Sequence, residues 1–352
     1  TPKPSSAASD VYKRQVIDAA TGKLLYEIKP PAEVTGGTFW KWMALQDGVL
    51  YAVVGKDEKR DPVIRQRRHA HGWPWYPLSP GFNQPRNPWG FGRTVLAIDP
   101  KTGQIKWVYK EAEPIDCRGV CLKDDCLFLF RFGSFLTCLN PKDGSVKWRK
   151  TKQSDPDFFK ALGRNLNRQD WRTNWRTTVY AKTNGKVLYL AGPMFEKLFA
   201  ISAEDGSLLW TDPYDNYQLV LRSEGLFGIS GPWGHHHTRL FDPFTGKVLA
   251  SYPIGRRACT RPTGSIDAIF FRAMGGTVRL DVPTGKIQWI SPMRAQCHDG
   301  VTIACGLLYW WPSVCDCQLN LYGITCLGPA GSFDFYAPAG EERLHKGPAY
   351  GK

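Results

Sequence analysis

The stretch that decides the fold is residues 95–107, Val-Leu-Ala-Ile-Asp-Pro-Lys-Thr-Gly-Gln-Ile-Lys-Trp. Four apolar residues lead into a short polar segment, and a second run of alternating apolar and polar residues follows it. In the polar segment Asp99 can cap its own turn, Pro100 presets φ, and Gly103 accepts a positive φ. The stretch therefore predicts two antiparallel strands joined by a tight turn. It closes with Trp107, which is large enough to pack between neighbouring sheets.

The same pattern occurs six times along the 352-residue chain. Its turn glycines are 81, 41, 62, 40 and 39 residues apart, so the period is near 40, with about 41 extra residues in one repeat and 22 in another. The aligned glycines are Gly22, Gly103, Gly144, Gly206, Gly246 and Gly285. Two more strand-like runs lie upstream of each hairpin, so each unit supplies four strands. A period of ~40 residues built from strands is typical of propeller blades.

Composition agrees with a fold made of strands and turns. The chain has 35 Gly, 14 Trp and only 4 Met, and it is 42% hydrophobic and 22% charged, as expected of a globular protein. No apolar run approaches the ~18 residues of a transmembrane helix. We therefore predict an all-β chain, a β-propeller of four-stranded blades with about six blades in this fragment. The last unit is incomplete, and we expect residues 23–28 to supply its fourth strand.

The chain divides into one propeller and two terminal segments. Residues 6–15 read SAASDVYKRQ and resemble a translated adapter sequence, so we leave residues 1–15 out as artefactual or disordered. The propeller covers residues 16–331, with insertions at 56–93 and 149–176, and a polar tail follows at 332–352.

The repeat resembles the PQQ-like repeat of quinoprotein-type β-propellers. The signature A-x-D-x-x-x-G-x-x-x-W is complete at Ala97, Asp99, Gly103 and Trp107, and it appears elsewhere with substitutions, as in Ser202 for Asp. The resemblance covers residues 16–331. It implies seven or eight blades in the intact protein, and a periplasmic or extracellular location in bacteria. It does not discriminate function, because quinone-dependent alcohol dehydrogenases and the propeller lipoprotein of outer-membrane assembly share the repeat.

The two insertions carry most of the net positive charge. The chain has 46 Lys and Arg against 32 Asp and Glu, a net charge of +14, and residues 56–93 and 149–176 each contribute +5. In a propeller the D–A and B–C connections share one face, so both insertions are expected there and should attract anions. The first is rich in aromatic residues. The second reads as a short helix after Asp155 and Pro156, with Phe158, Leu162 and Leu166 at helical spacing.

The starts of the innermost strands should converge on the propeller axis at that same face. We predict that they line a funnel with basic, aromatic and thiol side chains. The candidate ligand-binding residues are Arg118, Trp175, Arg176, Cys259, Arg261, Cys297 and His298. The alternative is a purely structural role, in which the small cysteines fill a narrow axis and the arginines pair with buried carboxylates.

The leading hypothesis is a monomeric propeller that binds an anionic partner on this face: an acidic glycan, an envelope component or an acidic protein surface. The alternative is a quinoprotein-like oxidoreductase with PQQ and calcium in the funnel, for which no catalytic Asp or calcium ligand can be placed. Whether the chain is an enzyme is left open. A nucleic-acid partner fits poorly with an envelope location. No metal site is predicted, because the spacing of residues 235–237, His-His-His, matches no zinc motif. Ten cysteines permit disulfides without defining their connectivity.

Overall fold

The computed structural model of the chain describes residues 15–18, 20–55, 91–163, 179–192, 195–213, 215–231, 237–257, 260–291, 293, 300–311 and 323–328. These residues form antiparallel sheets in which strands consecutive along the chain pair side by side. The fold is all-β, which confirms the predicted β-propeller architecture.

Five of the sheets in the described part have four strands, and we number them as blades I to V. Blade I contains β3 (Phe39–Gln46), β4 (Val49–Gly55), β5 (Phe91–Ile98) and β6 (Ile105–Asp116). Blade II contains β7 (Cys121–Lys123), β8 (Cys126–Arg131), β9 (Phe135–Leu139) and β10 (Val146–Thr151). Blade III contains β11 (Tyr180–Thr183), β12 (Val187–Ala191), β13 (Lys197–Ser202) and β14 (Leu208–Pro213). Blade IV contains β15 (Gln218–Arg222), β16 (Gly225–Ile229), β17 (Thr238–Phe241) and β18 (Val248–Tyr252). Blade V contains β19 (Thr263–Gly264), β20 (Ala268–Ala273), β21 (Gly276–Asp281) and β22 (Ile287–Ser291).

Two smaller sheets flank the blades. The first pairs β1 (Gln15–Ile17) with β2 (Leu24–Glu27), and the second contains β23 (Thr302–Ala304), β24 (Leu307–Trp310) and β25 (Thr325–Leu327). The prediction that residues 23–28 complete the last unit is therefore wrong, because β2 pairs with β1 instead. A short turn joins these two strands, and closing it costs far less chain entropy than pairing β2 with a strand three hundred residues away. Gln15, which the sequence analysis left out, is the first residue of β1.

Helical structure is sparse in the described residues. Helix α1 (Ala32–Thr35) precedes blade I, a 3-10 turn (Cys117–Gly119) leads into blade II, and helix α2 (Pro156–Ala161) lies in the second insertion. Pro156 occupies the first turn of α2, where its missing N–H is harmless. Phe159 and Leu162 are buried in the core between blades II and III, so the helix packs on the propeller.

The hairpin glycines have the backbone conformation that the sequence requires. All six take φ between 68° and 75°, the left-handed region that disfavours other residues. The closing tryptophan of a blade then donates its indole N–H to a carbonyl in the hairpin of the next blade. The pairs are Trp107 to Pro141 (2.9 Å), Trp148 to Ala203 (2.8 Å) and Trp210 to Pro243 (3.1 Å). Turn and tryptophan are thus two halves of one contact between blades.

The hydrophobic cores lie between successive sheets. Tyr51 and Val95 of blade I share a core with Leu127 of blade II, and Val187 and Leu219 belong to the core between blades III and IV. The β1–β2 sheet packs on blade I in the same way, so it occupies the position of a preceding blade. None of the described helices is long and apolar enough to cross a membrane.

Candidate functional site

The innermost strands bring together the side chains of the candidate site. Strand β11 contacts both β7 and β15, and β15 contacts β19, so the inner edges of blades II to V follow one another. The loops that enter these strands are D–A connections, as the sequence analysis assumed. Side chains at the starts of the inner strands contribute both to the cores between blades, as Val179 and Leu219 do, and to a pocket at the same place.

A small open pocket of about 70 Å³ lies at these strand starts. Four successive blades supply its walls, which makes it a property of the ring rather than of any one sheet. Its lining residues are Arg118, Val179, Tyr180, Ala181, Lys182, Gln218, Leu219, Arg261 and Pro262. Three of the nine are basic and none is acidic, so the pocket has a positive potential.

Arg118 is fixed by a carboxylate of its own turn. Its Nε and Nη2 atoms donate to Oδ1 and Oδ2 of Asp116 at 2.8 and 2.5 Å, and its backbone N–H donates to the same Oδ1 at 3.0 Å. Both side chains are largely buried, with 12% of Arg118 and 3% of Asp116 exposed. The adjacent Gly119 lies so close to Phe130 that a Cβ there would come within 2.8 Å of the ring. The turn that carries Arg118 is therefore tightly held against blade II.

Lys182 projects from β11 into the pocket. Its side chain is exposed to solvent there, and the protein around the pocket encloses it only in part. This enclosure, and secondly the positive charge of Arg261, lowers the pKa of the ammonium group. Cys121 of the neighbouring inner strand would favour the ammonium only as a thiolate, but burial raises the pKa of Cys121 to about 12. At neutral pH the thiol is uncharged, so Lys182 gains nothing from it.

Arg261 is a second exposed cation of the pocket. It directly precedes β19, and Gly300 lies against its backbone carbonyl, so that a Cβ at Gly300 would come within 2.4 Å of that oxygen. Thr263 then donates its hydroxyl to the Val301 carbonyl at 2.7 Å. These contacts hold the backbone at Arg261 and just after it. Within the described residues, neither Arg261 nor Lys182 lies within salt-bridge distance of a carboxylate.

A neutral polar pair completes the wall. Gln218 of β15 donates its amide N–H to the Tyr180 hydroxyl of β11 at 2.7 Å, and both residues are buried. The pair ties two inner strands together and presents oxygen and nitrogen atoms beside the cations. A ligand entering here would meet both positive charge and hydrogen-bonding groups.

The structure brings together two of the predicted site residues, Arg118 and Arg261. The other five, Trp175, Arg176, Cys259, Cys297 and His298, lie outside the described residues, as do residues 56–90 and 164–176 of the two insertions. Sequence reasoning missed Lys182, Tyr180 and Gln218. The available signal was a charged residue inside an innermost strand, where a purely structural role favours small or apolar side chains.

The histidine-rich loop holds a second polar cluster near this face. His237 Nε2 lies 2.9 Å from Asp215 Oδ2 and 3.2 Å from the Tyr217 hydroxyl, which joins the loop between β16 and β17 to the entry of blade IV. No group of metal-ligating side chains occurs among the described residues, and none of their six cysteines forms a disulfide. The cluster therefore holds two loops together.

PQQ does not fit the described pocket. A drug-sized ligand needs a cleft of roughly 300–1,000 Å³, several times the volume present, and the described walls offer no acidic side chain for calcium. The described pocket suits a small anion, or one charged group of a larger partner.

Comparison with known proteins agrees with the repeat and the fold. A model of the PQQ_2 family, described as outer membrane protein assembly factor BamB, matches residues 7–157. No curated protein matches the chain. BamB from Moraxella catarrhalis is 14% identical, over 67% of this chain and 64% of its own, with a TM-score of 0.47. The alignment thus spans less than two thirds of that protein.

The computationally designed Ika8 protein is 11% identical over 88% of this chain and 77% of its own, with a TM-score of 0.54. At such low identity this likeness concerns the fold alone. The family model covers less than half of the chain, and it agrees with the PQQ-like repeat signature and with the β-propeller fold that the antiparallel blades show.

Proposed function

We propose that this propeller binds an anionic ligand, or an anionic group of an envelope partner, in the pocket formed by Arg118, Lys182 and Arg261. The observation that carries the proposal is the convergence of three basic side chains from blades II, III and V on one pocket, with no described carboxylate beside two of them. A low-dielectric cleft lined by one sign of charge concentrates ions of the other sign.

The chemistry of the three groups supports this role. Arginine can bind carboxylate, sulfate or phosphate through two parallel hydrogen bonds, whereas lysine acts as a compact point charge. Arg118 is already paired with Asp116, so it shapes the pocket and adds little net charge. Lys182 and Arg261 supply the charge that an anion would neutralise.

The proposed partners are an acidic glycan, another envelope component or an acidic protein surface. The matched family model describes an outer membrane assembly factor, which supports a periplasmic or extracellular location for this chain as well. Two chemical features of the pocket agree with such a partner: it is open to solvent, and it is too small to enclose a large ligand. The pocket would therefore bind one acidic group, while the rest of the partner lies across the face of the propeller on which the two insertions are expected.

Calorimetric titration with inorganic sulfate tests the proposal. The variant carrying both Lys182→Gln and Arg261→Gln should bind sulfate at least 10-fold more weakly, because each charge-assisted hydrogen bond contributes about 1.5–3 kcal/mol. Lys186→Gln, which removes an exposed lysine of blade III outside the pocket, is the matched control and should bind like the parent protein. Equal loss of affinity in both variants would show that sulfate responds only to net charge and would reject the site.

A further inference from the structure

We propose that Lys182 is a nucleophile that forms a reversible imine with small oxo-acids, anionic compounds that carry an aldehyde or ketone next to a carboxylate. The inference rests on the anion-binding function proposed above and assigns that pocket a substrate class. It starts from geometry, since a primary amine shares one small pocket with two guanidinium groups.

The position of Lys182 favours the neutral amine that this reaction needs. The side chain is only partly enclosed by protein and remains exposed to solvent, shares the pocket with the cation Arg261 and has no described carboxylate within salt-bridge distance. Among the described residues the Cys121 thiol also acts on it, and that thiol is uncharged at neutral pH. Both the enclosure and Arg261 lower the pKa of Lys182. Desolvation and a neighbouring cation are the two means by which proteins activate lysine as a nucleophile.

Arg261 supplies the other half of the recognition, because Arg118 is already paired with Asp116. A guanidinium group binds the carboxylate of an oxo-acid and holds the adjacent carbonyl carbon near the amine, which raises the effective concentration of the two reactants. The volume of about 70 Å³ admits a molecule of a few heavy atoms, such as glyoxylate or pyruvate. A neutral aldehyde of the same size lacks the carboxylate that Arg261 would bind.

The covalent step balances without any further reactant. The Nζ lone pair attacks the carbonyl carbon, and proton transfer from nitrogen to the former carbonyl oxygen gives a carbinolamine. Loss of that oxygen as water, with the second Nζ proton, leaves the carbon–nitrogen double bond of the imine. Hydrolysis reverses each step, so the ligand is released unchanged.

Reductive trapping tests the inference on the full chain. The protein is incubated with glyoxylate and sodium cyanoborohydride, which delivers a hydride to the imine carbon and leaves a stable secondary amine that peptide mass spectrometry locates. We expect modification at Lys182 at least 10-fold above the exposed Lys186, suppressed by sulfate and at least 10-fold lower in Arg261→Gln. Acetaldehyde should show no such preference for Lys182.

The possible outcomes distinguish failure of the imine proposal from failure of the anion-binding function on which it rests. Uniform labelling of surface lysines, together with normal sulfate binding, overturns the imine while the anion site stands. If the protein shows neither sulfate binding nor preferential labelling of Lys182, both the imine and the anion site are overturned. Lys182→Arg keeps a cation in the pocket but cannot form the imine, so disappearance of the label in that variant with an unchanged thermal midpoint assigns the reaction to this amine. Label that persists on other lysines of this variant contradicts the assignment.

Discussion

At the scale of single residues, the tryptophan of one blade and the turn glycine of the next form the contact that the repeat preserves. Position 246 requires glycine for two reasons: its φ is 72°, and a Cβ there would come within 2.6 Å of the Trp210 ring. At Gly103 the same φ of 73° occurs, but nothing lies within 4 Å of the Cβ position. Comparing substitutions at the two glycines therefore distinguishes the cost of backbone strain from the cost of packing against the indole ring.

Replacing each of these glycines with alanine measures the two effects. Gly103→Ala should lower the free energy of unfolding by about 1 kcal/mol, the cost of holding a side chain in the left-handed region. Gly246→Ala should cost about 2–4 kcal/mol, because overpacking against the indole adds to that strain. Urea unfolding monitored by tryptophan fluorescence checks both values. Equal losses would mean that the indole yields freely and that the blade contact is loose.

Arg118 is expected to contribute to stability as well as to the site. Arg118→Ala should cost about 3 kcal/mol, because it leaves the Asp116 carboxylate buried without its guanidinium partner. Arg261→Ala should leave the thermal midpoint nearly unchanged, because Arg261 is exposed and pairs with no described carboxylate. Differential scanning calorimetry of the two variants distinguishes the roles. A large loss in Arg261→Ala would support the alternative that this arginine joins blades.

At the scale of elements, neighbouring blades are joined by side chains that reach from one sheet to the backbone of the next. Arg222 at the end of β15 donates to the carbonyls of Ser265, Ile266 and Ala268 in blade V. Glu224 holds the same guanidinium through Nε and Nη2 at 3.1 and 2.8 Å. The hydrogen bonds from Arg222 lower the pKa of Glu224 to about 2. Its ionised form therefore stabilises the fold above the ordinary glutamate pKa, and that contribution is lost as the pH falls towards 2.

Glu224→Gln should accordingly lower the thermal midpoint at pH 6 and have a smaller effect near pH 2, where Glu224 itself becomes protonated. Thermal unfolding followed by circular dichroism between pH 6 and 2 gives the comparison, with Glu204→Gln as a control at an exposed glutamate that has no described salt bridge. A difference between Glu224→Gln and the parent protein that does not change with pH would contradict the pairing.

Much of this element-scale structure could be predicted from the sequence, because the information is local. The turn chemistry around Gly103 and the 40-residue period are sufficient to define the hairpins and the four-stranded blade. The partner of β2 was predicted wrongly, since the pattern indicates a strand without naming its neighbour. The pocket was only half predicted for the same reason. Arg118 and Arg261 follow from their equivalent positions, whereas Lys182 enters the pocket through the packing of four blades, which a repeat pattern does not specify.

At the scale of the whole molecule, a net charge of +14 acts together with the pocket. Long-range attraction should speed the encounter with a polyanion, and salt should screen it. The association rate with a sulfated oligosaccharide is therefore expected to fall at least 10-fold between about 0.05 and 0.5 M salt, as measured by surface plasmon resonance. A rate that does not depend on salt would show that charge does not guide the encounter.

Anomalous diffraction from crystals soaked in selenate tests the proposal that the pocket of Arg118, Lys182 and Arg261 holds an anion. Selenate is a tetrahedral dianion whose selenium atom locates it without ambiguity. We expect an anomalous peak within hydrogen-bond distance of Lys182 and Arg261, and no such peak in identically treated crystals of the variant that carries both Lys182→Gln and Arg261→Gln. Selenium peaks confined to other surfaces, or an identical pocket peak in the variant, would contradict it.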